Sequence, residues 1–137
     1  MQIQRIQSLY LLIAAVFTGI FCFMPYASVS VSDAQVSDLL VSESPVMLVL
    51  NITITVLLLI TIFMYNNLRL QIKMAAIDIA LICGSIITTI VYAFAGENAA
   101  VAYGGPAMLI LALGFAIAGR RGMVRDKEKL ASADRLR

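Results

Sequence analysis

The sequence predicts an all-α fold: a polytopic membrane bundle of four helical spans, both termini cytoplasmic, with a short cytoplasmic C-terminal helix. Three observations predict it. Of 137 residues, 61% are hydrophobic and only 13% charged, against about 45–50% and about 25% in soluble domains. Four apolar segments reach the roughly 20 residues that a helix needs to cross a bilayer core. All ten Lys and Arg residues fall on one side of a four-span arrangement. The length allows one domain, residues 1–137, and leaves no polar stretch long enough for a separate soluble unit.

The first span is read at residues 6–27. A cleaved leader is the competing reading, but the apolar run is longer than the usual 7–15 residues and no A-x-A site follows it, so an uncleaved span is expected. In the following loop, Ser28-Val29-Ser30-Val31-Ser32 alternates with period two, which suits a single hairpin at most. An ordinary solvated loop is the expectation there. The second span is read at 46–65 and the third at 74–95, joined by a short polar loop. The fourth, 99–119, contains Gly104-Gly105-Pro106. Pro106 inside a helix removes a backbone hydrogen bond and predicts a kink. A packing kink is expected, with a broken helix lining a solute path as the alternative.

Orientation follows from charge. Arg5 precedes the first span, Arg69 and Lys73 lie in the second loop, and Arg120, Arg121, Arg125, Lys127, Lys129, Arg135 and Arg137 lie in the tail. The other two loops carry only acids: Asp33, Asp38, Glu43 and Glu97. Short loops rich in Lys and Arg stay in the cytoplasm, which places both termini there. Tyr10 and Tyr65 fall near the inner boundary and Tyr26, Tyr92 and Tyr103 near the outer one, the depth tyrosine prefers. The ten basic residues make a candidate face for a partner or for an anionic inner leaflet. The tail, residues 120–137, reads as a membrane-surface helix or a docking segment. Nucleic-acid binding is not expected, because the tail is short and mixed in charge.

The chain has no histidine, so the commonest general base and metal ligand is absent. Cys22 and Cys83 stand alone in apolar runs, without zinc or dithiol spacing. Neither paired carboxylates nor a nucleophile beside a base is visible, so no enzyme and no cofactor is expected. Asp78 is the one ionisable residue inside a span, and an intramembrane carboxylate is a functional candidate by default. An anchoring role is expected, near the helix N-terminus and paired with Lys73, Arg69 or Arg120. A proton- or cation-linked role is the alternative. Asn51, Thr55, Ser85, Thr88 and Thr89 read as helix-joining polar residues, and Ala15, Gly19, Ala112 and Ala116 as close-packing seams.

The segments Ile3-Gln4-Arg5-Ile6-Gln7-Ser8-Leu9-Tyr10, Asn67-Leu68-Arg69-Leu70-Gln71-Ile72-Lys73 and Arg125-Asp126-Lys127-Glu128-Lys129-Leu130 resemble an uncharacterised family. It is a domain-of-unknown-function family of small four-span inner-membrane proteins of Bacteroidetes-type bacteria. The resemblance covers nearly the whole chain. It implies an inner-membrane location and four helices, and implies no activity. Gly122 and Met123 depart from the regular apolar-basic helix expected at that point of the tail. Two classes of function remain: a non-catalytic assembly, scaffold or regulatory component, working with a membrane-protein partner, or an oligomeric small-solute or ion transporter or channel.

Overall fold

The computed structural model describes residues 2–32, 35–95, 99–101 and 104–136, with side chains described for 6–28, 38–95 and 104–136. It is mostly helical: α1 (Gln2–Phe21), α2 (Pro45–Phe63), α3 (Leu68–Ala95) and α4 (Gly104–Arg135). Each helix packs on the ones before and after it in the chain, and α1 and α4 close the ring. The last three are long and apolar enough to cross a membrane. The described apolar part of α1, Ile6–Phe21, is shorter, but it lies alongside α2 and α4.

All four helices show one packing rule. The buried positions are Gln7, Leu11, Ala14, Thr18 and Phe21 on α1, and Met47, Asn51, Ile54, Leu58 and Thr61 on α2. On α3 they are Gln71, Ala75, Asp78, Ile82, Ser85, Thr89 and Ala93, and on α4 Gly105, Leu109, Ala112, Ala116, Gly119, Met123 and Asp126. Spacings of four and three alternate along these rows up to Thr89 on α3, and Ala15 adds to the row on α1. This is the heptad seam of helices crossing at a shallow angle, knobs into holes. The opposite faces carry large exposed apolar side chains, such as Val49, Ile52, Val56, Ile60 and Phe63 on α2. Contiguous apolar surface of this kind suits lipid rather than water.

The structure departs from the sequence expectations in four places. First, the fold is not purely helical. β1 (Pro25–Ser32), β2 (Gln35–Leu40) and β3 (Ala99–Val101) form an antiparallel sheet in the order β2-β1-β3. The period-two serine–valine run is its central strand, and Ala27 pairs with Val101. Tyr26, Ala27 and Val41 pack with Phe21, Met47, Ala93 and Leu109 into a small core where sheet meets bundle. Tyr26 is therefore buried in this core, and burial, then Glu43 and Tyr92, push its phenol above the usual range.

Second, the first helix ends at Phe21, not at residue 27, because β1 begins at Pro25. Third, α4 begins at Gly104, and 99–101 form β3 instead of helix. Pro106 therefore sits in the first helical turn, where its missing N–H has no helical acceptor to lose, so no kink follows. Fourth, the tail is not a separate short helix: α4 continues through it to Arg135. At 32 residues it is about 48 Å long, against a hydrocarbon core of about 30 Å. Residues 102–103, with Tyr103, and the loop residues Asp33 and Glu97 lie outside the described set.

Local chemistry sets the remaining boundaries. Pro45 occupies the first turn of α2, where its fixed φ is already helical. At the other end, the Met64 N–H reaches the carbonyls of Ile60 and Thr61 and closes the helix. Asn67 then caps α3, its Oδ1 accepting from the Leu70 N–H at 3.3 Å.

Candidate functional site

The polar side chains inside the bundle fall into layers along the seam. Nearest the α2–α3 turn, Gln71 donates from Nε2 to the Thr61 carbonyl at 3.1 Å. That carbonyl belongs to the last turn of α2, where helix geometry supplies too few donors. One turn away, the Thr61 hydroxyl lies 2.7 Å from Asp78 Oδ2 and 2.8 Å from the Leu57 carbonyl. Asp78 is fully buried. Its other oxygen, Oδ1, has no hydrogen-bond partner among the described residues.

The cations expected beside Asp78 stand elsewhere. Arg69 and Lys73 are exposed, and Arg120 is half-buried on α4 with its Nε unpartnered among the described residues. The expectation of a shallow, ion-paired anchor therefore gives way to a carboxyl group inside the seam. A helix places residue i+7 on the same face as i, so Gln71, Asp78 and Ser85 line one edge of α3. The turn-proximal end of that edge meets α2, not water.

A second layer lies about two turns deeper. Ser85 donates to Asn51 Oδ1 at 2.9 Å, and Asn51 donates from Nδ2 to the Met47 carbonyl at 2.8 Å. Thr18 and Thr55 meet at 2.9 Å and join α1 to α2. Between the layers stand Ile54, Leu58 and Ile82, each fully buried. Of the residues read as helix-joining, Asn51, Thr55 and Ser85 join helices. Thr88 and Thr89 bond back to their own helix, at the carbonyls of Gly84 and Ser85.

At the opposite pole from the sheet, Gln7 donates from Nε2 to Asp126 Oδ2, both groups being buried. Gly122 is there because of Gln7: a Cβ at that position would come within 2.9 Å of the Gln7 Cγ. Met123 is fully buried in the same seam. The first two turns or so of the expected tail, residues 120–126, thus belong to the bundle. Sequence reading missed Thr18, Gln71 and Asp126 as buried groups; the three-four spacing was the signal that marked them.

Beyond Asp126, every described residue of 127–136 is exposed. This end carries Arg121, Arg125, Lys127, Lys129 and Arg135, all exposed, and the α2–α3 turn with Arg69 and Lys73. Because Gln7 bonds Asp126, the start of α1 is at this end too. The side chains of Arg5 and Arg137 lie outside the described set. Cys22 is buried, its thiol directed at the Thr18 carbonyl 3.5 Å away, and Cys83 is half-buried. No group of three or more potential metal ligands occurs among the described residues.

Residues 3–136 match a family model whose description is "Domain of unknown function (DUF4293)". No curated protein matches the chain, and no solved structure does.

Proposed function

Because the chain belongs to the DUF4293 family, a domain of unknown function, we propose its role from its geometry: a non-catalytic assembly, scaffold or regulatory component of the bacterial inner membrane. It is read as multi-pass, with both termini cytoplasmic. The observation that carries this is the course of α4. The helix leaves the bundle at Asp126 and runs on, fully exposed, to Arg135. Those nine further residues extend about 13 Å along the axis of the span. A helix that continues a span in this way points away from the membrane, which favours docking to a protein over lying on lipid. Arg69 and Lys73 beside its base face the anionic leaflet, where each basic residue gains about 1 kcal/mol.

Orientation rests on the bias of short basic loops toward the cytoplasm. In intact cells an impermeant thiol reagent should label an engineered Ser37→Cys and leave Ser132→Cys unlabelled. Labelling of Ser132→Cys would reverse the topology.

The docking role is tested by isolating the native complex in mild detergent, from the full chain and from one ending at Asp126. A reproducible foreign partner, lost on truncation while the bundle still inserts, is the expected result. A pure homo-oligomer from both chains would favour the second reading, an oligomeric transporter. That reading is supported by Asp78, a carboxyl buried on a helix long and apolar enough to cross a membrane. Against a path within one copy stands the apolar layer of Ile54, Leu58 and Ile82.

A further inference from the structure

The Thr61 hydroxyl has one proton and two oxygens within donating distance, Asp78 Oδ2 at 2.7 Å and the Leu57 carbonyl at 2.8 Å. A hydroxyl donates once and accepts through its lone pairs. Unless that one proton is shared between them, both short contacts are full two-centre hydrogen bonds together only if one of the other oxygens brings a proton. The Leu57 carbonyl has none to bring. The carboxyl of Asp78 can.

We infer that Asp78 is a proton-binding site inside the α2–α3 seam: it holds its proton in the closed bundle and donates it to Thr61, which donates to the Leu57 carbonyl. The inference is independent of the docking role of α4. The surroundings agree with it. An ionised carboxylate needs donors on both oxygens or a cation close by, and Oδ1 has no partner among the described residues. The helices packed on α3 supply no such cation. α2 carries no ionisable residue from Pro45 to Phe63. At this end α4 brings Arg120, Arg121, Arg125 and Asp126; Arg121 and Arg125 are exposed, and Asp126 is bonded to Gln7. Arg120 makes no bond or ion pair to the carboxyl among the described residues, and α3 itself adds the exposed Arg69 and Lys73, the half-buried thiol of Cys83 and, at its far end, the exposed Tyr92. The strands that touch α3 do so at its far end, around Ala93. The proton therefore leaves only when α2 and α3 separate enough to admit water or another donor.

Infrared spectroscopy of the full chain in phospholipid vesicles at neutral pH tests this. The wild type should show a protonated-carboxyl C=O band that moves to lower frequency in heavy water. That band should be absent from Asp78→Asn, whose amide can donate to Thr61 in its place. If Asp78→Asn instead removes carboxylate bands, and no acid band, the site is ionised and the inference fails; a bound alkali cation would give that result. Should Asp78→Asn fail to fold, Thr61→Val keeps the carboxyl and removes its acceptor. The acid band should then move to higher frequency. An unmoved band, or none, overturns the inference.

Discussion

Replacing Gly105 by alanine should destabilise the protein by about 3 kcal/mol, the upper part of the range for overpacked interiors. A Cβ there would lie inside contact distance of the Pro25 carbonyl oxygen and 3.1 Å from the Phe21 ring. Neither neighbour can retreat at low cost. Pro25 opens the central strand and is in register with Leu40, and Phe21 is fully buried. Gly114→Ala is the internal control, because nothing lies within 4 Å of its added Cβ. There the change should be neutral, or stabilising by up to about 1 kcal/mol through helix propensity. Thermal unfolding in detergent, followed by circular dichroism, compares the two. Equal stability of both variants would mean that α4 does not start against β1 as described.

The second large effect separates the seam from the exposed apolar face at two adjacent leucines. Leu58 is fully buried, whereas Leu59 is 37% exposed on the outer side of α2. Leu→Ala in a soluble core costs about 2–5 kcal/mol, from lost transfer energy and from the cavity left behind. In a bilayer the transfer part largely disappears, since acyl chains are as apolar as leucine. The cavity part remains, because packed neighbours do not fill the gap. Leu58→Ala should therefore cost about 2 kcal/mol and Leu59→Ala close to zero, on the same physical grounds. Unfolding by a denaturing detergent in mixed micelles measures both. A larger loss at Leu59 would rotate α2 relative to its neighbours.

The same contrast explains why the polar seam was hard to read from residues alone. In a soluble helix, hydropathy separates the inner face from the outer. Here the outer face of α2, with Val49, Ile52 and Val56, is as apolar as the inner one, which holds Asn51 and Thr61. The three-four spacing is present in the chain, but it needs a known rotation of each helix before it marks a core. Asp78 shows the consequence. Its position near one end of a span suggests a shallow anchor with a cation, and nothing local contradicts that. Only the rotation of α3 turns its carboxyl toward Thr61 rather than toward Lys73.

Composition, the length of the apolar runs and the placement of Lys and Arg are properties of the chain by itself. They sufficed for a mostly helical protein with long apolar helices and with its described basic residues toward one pole. These features follow from local physics: backbone groups in lipid must bond within their own segment, and helix length must match the bilayer. The tertiary structure decided what depends on partners distant in sequence. β1 needs β3, about seventy residues on, to make Ala27 meet Val101. Residues 99–101 form that strand instead of extending α4, which starts at Gly104. Asp126 is buried because Gln7 reaches it from the other end of the chain. A strand without its neighbours has no hydrogen-bond partners, and a polar side chain has no defined environment until a second helix covers it, so neither could be settled one segment at a time.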